Sequence, residues 1–111
     1  MEITTERFKH CDMLQVKGRV DSYTASQLSE AIEAVNASGR FKIVLDLSGL
    51  EYMSSAGFRA LLIGQRACKR YNRGEMVLAN VPKRIYEALE LTGFLPFFRI
   101  FGDSVSAVGY F

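Results

Sequence analysis

This chain of 111 residues has no tryptophan, two prolines, two cysteines and one histidine. The scarcity of histidine and cysteine, and the motifs that are missing, close off classes of function. The lone His10 gives histidine-based acid–base chemistry little room, and no G-x-S-x-G turn is present to raise a serine nucleophile. The glycine pattern of a P-loop is also missing, so nucleotide hydrolysis has no phosphate cradle. Cys11 and Cys68 show neither metal-type spacing nor a redox motif, and Cys68 falls on the apolar side of its helix as a small core residue. No apolar run approaches the roughly 18 residues that a membrane span needs. The opening MEITTERFKH is charged and alternating, unlike a signal peptide or an anchor. A net charge of +2 does not argue for nucleic acid. What remains is 49% hydrophobic and 23% charged, the balance of an ordinary soluble globular protein. We expect a single domain over residues 1–111, in a reducing cytoplasm, with no metal or cofactor and no membrane or nucleic-acid partner.

Periodicity orders the elements. Residues 3–9 and 13–18 alternate as two short strands joined at His10-Cys11-Asp12, a hairpin. Asp21 or Thr24 caps a helix in which Ala25, Leu28, Ala31, Ile32 and Val35 recur at helical spacing, and Gly39 stops it. A third strand, 42–46, carries the apolar run Ile43-Val44-Leu45 of a covered strand. Asp46, Ser48 and Gly49 are turn chemistry, after which a helix runs from about Ser55 to Tyr71 with Phe58, Leu61, Leu62 and Gln65 on one face. Glu75–Asn80 is a fourth strand. Pro82 starts a helix at its favoured first position, with Ile85, Leu89 and Leu91 inward and Gly93 at its end. Phe97–Phe101 is a short fifth strand, and 104–110 forms a last helical turn or two. The order β-β-α-β-α-β-α-β-α implies an α/β domain with mostly parallel pairing and one antiparallel strand from the opening hairpin.

Two motifs carry more than architecture. One is LDLSGLEYMSSAGF, Leu45 to Phe58, in which a strand ends and a helix opens at a pair of serines; the other is GRVDSYTA, Gly18 to Ala25. Together, in this order and at this separation, they resemble the signature of the STAS domains, named for sulphate transporters and anti-sigma factor antagonists. The resemblance covers essentially the whole chain. It implies the STAS fold, a small mixed sheet of about four to five strands packed with about four helices. It also implies an anti-sigma factor antagonist-like regulatory module that is not an enzyme. In that branch the second serine of the junction, here Ser55, is phosphorylated by a partner kinase. The implied partners are an anti-sigma factor or serine kinase of the GHKL ATPase type and a PP2C-type phosphatase, with the module a monomer or weak dimer. Many phosphorylated relatives carry Asp immediately before the acceptor, where this chain has Ser54. That departure keeps open a non-switched STAS scaffold within a larger signalling complex.

The residues admit paired readings. A serine at a helix start is an N-cap or an exposed phosphoacceptor, and one residue could serve as both. By the resemblance Ser55 is the acceptor, with Ser54 an accessory polar group or a second acceptor. Gly57 is either a tolerated helix glycine or a bare stretch of backbone that lets a partner approach the serine. Asp21 is a turn or capping residue, or, by the resemblance, part of a contact patch with Ser22, Tyr23 and Thr24. Arg59, Ile63, Arg66, Arg70 and Arg73 recur at spacings of 4, 3, 4 and 3 along one helix face. They form a solvated basic face or a docking surface for an acidic partner, with Arg59 one turn from Ser55 and able to pair with a phosphate there. Phe94, Phe97, Phe98 and Phe101 read as core at the sheet edge, any exposed one marking a contact surface.

Overall fold

The computed structural model describes residues 1–111. Strands β1 (Glu2–Arg7) and β2 (Asp12–Val20) form the expected antiparallel hairpin, with Ile3 opposite Val16. Then follow helix α1 (Ala25–Ala37), strand β3 (Lys42–Asp46), strand β4 (Leu50–Met53) and helix α2 (Ser55–Lys69). Strand β5 (Glu75–Ala79), helix α3 (Lys83–Thr92), strand β6 (Ile100–Phe101) and helix α4 (Ser104–Tyr110) complete the order. The sheet is mixed and six-stranded, ordered β1-β2-β3-β5-β6, with β4 also paired to β2. No helix is long and apolar enough to cross a membrane.

The central strands are buried on both faces, and their side-chain alternation builds two cores. Ile43 and Leu45 of β3, with Met76 and Leu78 of β5, join the larger cluster under α1, α2 and α3. Val44, Val77 and Ala79 point the other way, to a smaller cluster closed by Ala107 of α4 and edged by Phe101 and Phe111. Cys68 lies in the larger core and Cys11 in the smaller, and both are reduced and buried. Burial, which disfavours a thiolate, pushes both thiols above their ordinary range.

Strand β4 corrects the sequence reading, which passed from turn to helix directly. Strand β2 is nine residues long and pairs with two strands end to end: Asp12–Gln15 with β3, then Gly18–Val20 with β4. Between them the chain jogs through Leu47-Ser48-Gly49. Gly18 answers the jog with φ +90°, a left-handed value that favours glycine, and its N–H donates to Gly49 O at 2.9 Å. The jog is tied by Asp46, whose Oδ1 accepts from Ser48 N (3.0 Å) and Asn80 Nδ2 (3.2 Å) and whose Oδ2 accepts from Gln15 Nε2 (3.2 Å). Burial alone raises this carboxyl, but those donors outweigh it and hold Asp46 below the usual carboxylate range. The turn residues were legible; a four-residue strand after them, with only Leu50 and Met53 buried, lacks any alternation to betray it.

Other boundaries shift. Helix α2 stops at Lys69, and Arg70–Asn72 forms a 3-10 turn in which Tyr71 takes φ 60°. Pro82 sits one residue ahead of α3 as its N-cap. Leu91, expected inward, is 89% exposed, because α3 packs through Ile85, Ala88 and Leu89 and then ends at Gly93. The last strand shrinks to Ile100–Phe101 behind a 3-10 turn at Leu95–Phe97. Of the aromatic cluster Phe98 is buried, Phe94 and Phe101 are half-buried, and Phe97 stands out at 52% exposure.

Candidate functional site

The parallel strands β2 and β4 end together, Val20 opposite Met53, and this places the Asp21 loop beside the start of α2. One backbone bond joins the two motifs directly, from Ser54 N to Val20 O at 2.8 Å. The carboxyl ends of parallel strands are where α/β folds gather functional loops.

The two serines divide the roles that the sequence left open to either. Ser54 has extended backbone (φ −79°, ψ 170°) and is the N-cap, its Oγ accepting from Gly57 N at 3.4 Å. Ser55 is the first helical residue and is exposed. Its hydroxyl stands at the positive end of a 15-residue helix with no acidic residue in the first turn. An anion on Ser55 is therefore met by a favourable field, while the cap is supplied by its neighbour. Because Asp and Ser rank together as N-caps, Ser54 keeps the structural role an Asp would have there and removes only its charge.

Gly57 is a correction. It does not lie open for a partner to approach: it is buried on the inner face of α2. A Cβ there would stand 2.5 Å from Met53 Cγ and 2.9 Å from Val20 Cγ1. The glycine lets α2 start flush against the ends of β2 and β4, and so it sets how high Ser55 stands above them.

The Asp21 loop is rigidly built. Asp21 Oδ1 accepts from Tyr23 N (2.9 Å) and Thr24 N (3.0 Å), and Asp21 N donates to Thr24 Oγ1 (2.9 Å). The Thr24 N–H, then the Tyr23 N–H, hold this carboxyl below its ordinary range. Thr24 is the N-cap of α1, though its own side chain makes no capping bond. This wrap leaves Ser22 exposed and Tyr23 at 88% exposure, so the loop presents an aromatic to solvent.

Arg59, Ile63 and Arg66 are all exposed along α2, with Ile63 at 53%. Arg59 lies one turn beyond Ser55. The expected five-residue stripe breaks at its end, because the helix has stopped before Arg73. That guanidinium turns back instead, donating to Arg70 O (3.0 Å) and Ala67 O (3.2 Å) and stacking on Phe41 at 3.7 Å. Sequence reasoning missed Arg19 and Tyr52. They face each other across β2 and β4, stacked at 4.5 Å, and extend the surface around the loop onto the other side of the sheet. Recognising β4 would have paired them by register.

Comparison with known proteins bears on the fold and the family. Residues 3–95 match the family model described as Mlab, STAS domain. BtrV of Bordetella bronchiseptica, assigned by name to the anti-sigma factor antagonists, is 31% identical over 111 residues, covering 100% of this chain and 95% of that protein. Among solved structures, an anti-sigma factor antagonist from Mycobacterium paratuberculosis superposes with a TM-score of 0.87 at 24% identity, covering 98% of this chain and 92% of that one. The Bacillus cell fate determinant SpoIIAA, solved in its phosphorylated form, superposes with a TM-score of 0.75 at 16% identity, covering 98% of each chain.

Proposed function

The chain belongs to the STAS domain family, and from that premise we propose that it is a cytoplasmic anti-sigma factor antagonist-like module switched by phosphorylation of Ser55. Unmodified, it binds a GHKL-type serine kinase or anti-sigma factor and frees whatever that partner holds. The kinase transfers the γ-phosphoryl of ATP to the Ser55 hydroxyl, and a PP2C-type phosphatase removes it. The chain is then the substrate of this chemistry and not its catalyst, in keeping with relatives named as antagonists.

The observation that carries this reading is the division between the serines: Ser54 caps α2, which leaves the Ser55 hydroxyl exposed at the helix start beside the Asp21 loop. A phosphate there adds about −1.5 to −2 charges. The helix dipole offsets part of that, by about 0.3–2 kcal/mol, so the fold tolerates the modification. An interface that buries the same spot does not, because desolvating an unpaired dianion costs several kcal/mol. At about 1.4 kcal/mol per tenfold in affinity, that cost empties the complex. Ser22, Tyr23 and Arg59 complete the contact surface around the serine, and Ile63 and Arg66 continue it along α2.

The test is a capture from native lysate on wild-type, Ser55→Ala and Ser55→Asp baits, read by mass spectrometry with phosphosite mapping. A GHKL-type ATPase held by the first two and lost from the third is the expected result. The same partners on all three would leave a docking scaffold without a switch.

A further inference from the structure

A second docking surface lies at the far end of α2, around Phe97. Gln65 is 3% exposed, yet it points its amide across the core: Nε2 donates to Met76 O (2.9 Å) and to Phe97 O (2.7 Å), and Oε1 accepts from Met76 N (2.7 Å). A buried amide is costly unless satisfied, and this one is satisfied by clamping the Leu95–Phe97 turn to β5 and α2. The clamp holds Phe97 half out of the protein, over a shallow groove of about 330 Å³ lined by Leu62, Arg66, Lys69 and Arg70.

The charge lining the groove is one-sided, and Glu75, in the adjoining hollow beside Lys69 and Phe97, is paired with Arg99. From Tyr52 to Gly74 the chain has five cations and no acidic residue. The three ion pairs of the structure join Arg7 and Arg40 to Asp12 and Arg99 to Glu75, so Arg66, Lys69 and Arg70 have no acidic partner. The carboxyl end of α2 accounts for part of this basic character, but a helix terminus carries only about −0.5 of a charge against three cations. An aromatic on a tethered turn, beside unpaired cations and Leu62, is the complement of an apolar side chain flanked by carboxylates. Because the turn is already fixed, binding need not order it.

We propose that this groove docks an acidic segment of a partner protein, with an aliphatic or aromatic side chain seated against Phe97 and Leu62 and its flanking carboxylates on Arg66, Lys69 and Arg70. At 1.5 Å per residue the groove begins about 10 Å along α2 from Ser55, at Leu62, and its three cations lie about 16–23 Å away. A partner held there stays bound whether or not Ser55 carries a phosphate. The groove shares Arg66 with the surface proposed around Ser55 but does not rest on the serine switch, and its failure leaves that switch standing.

The experiment is a titration of the full ¹⁵N-labelled chain with a short peptide of Glu and Asp flanking a central Leu-Trp pair, beside its Gln and Asn counterpart. Shifts should centre on Leu62, Arg66, Lys69, Arg70 and Phe97 for the acidic peptide alone. Phe97→Ala and the pair Arg66→Glu with Arg70→Glu should each weaken binding about tenfold or more, Phe97→Leu should retain most of it, and Ser55→Asp should leave it unchanged. Thermal melts confirm that each variant is folded. Binding that survives Phe97→Ala would mean unspecific attraction of acid to base and would overturn the proposal. So would shifts elsewhere on the surface, no binding at all, or sedimentation showing that the groove is covered by a second copy of this chain.

Discussion

Replacing Gly57 with alanine separates three accounts of that residue. On an exposed helix surface the change is favourable by about 1 kcal/mol, and less in a first turn, because alanine restricts the unfolded chain and favours helix. Here the new methyl group would stand 2.5 Å from Met53 Cγ and 2.9 Å from Val20 Cγ1, distances that real Cβ atoms do not tolerate. The Met53 side chain can rotate, but its Cγ is tied close to the backbone, and the branched Val20 has little freedom at χ1. Overpacking of this kind costs about 1–3 kcal/mol, so the net is a loss of about 1–2 kcal/mol. For a domain of this size that lowers Tm by about 4–8 °C. Chemical and thermal denaturation followed by circular dichroism measure it. Val20→Ala removes one of the clashing groups, so the double variant should lose less than the sum of the two single losses. An unchanged or raised Tm would refute the packing argument. Full stability with slower phosphorylation would instead restore the view that a bare backbone admits the kinase.

The serine pair gives a paired outcome: Ser54→Ala should cost about 0.5–1 kcal/mol, the low end for a cap whose bond is 3.4 Å long, while Ser55→Ala stays within about 0.5 kcal/mol of wild type by urea denaturation. Ser54→Asp should keep full stability, because it preserves the cap. Gln65→Leu should be among the most destabilising single changes, about 3 kcal/mol or more by the same assay, because it strands Met76 N, Met76 O and Phe97 O without partners. Asp46 sets a pH dependence: its carboxyl is held below the ordinary value in the fold, so its stabilisation is fully present above the unfolded pKa of about 3.9 and disappears as pH falls through the lower folded value. The stability gap between wild type and Asp46→Asn should therefore be widest near neutrality and narrow below about pH 4, and a gap that widens on acidification would contradict this sign.

Much of the molecule was legible because its local and global signals coincide. The opening hairpin, the doubly covered run Ile43-Val44-Leu45, the helical spacing of Leu28, Ile32 and Val35 and the stop at Gly93 are each written in periodicity or turn chemistry, which act over a few residues. The pair of motifs placed Ser55 at a helix start for the same reason. Leu91 misled because an apolar residue at helical spacing turns inward only if something lies opposite it, and the end of α3 faces solvent. Arg73 misled because a helical stripe presumes a helix, and α2 ends four residues before it.

What the amino-acid order settled by itself was the order of every element but β4, the α/β class, and the serine pair at the mouth of a helix. Only the tertiary structure decided which serine caps and which is free, since that depends on how far α2 advances over β4. Only there does Gly57 become a contact, because its neighbours Val20 and Met53 come from two strands that meet in space. The Gln65 clamp on Phe97 belongs to the same class: its three hydrogen bonds join residues 11 and 32 positions apart, a distance over which no local pattern carries information.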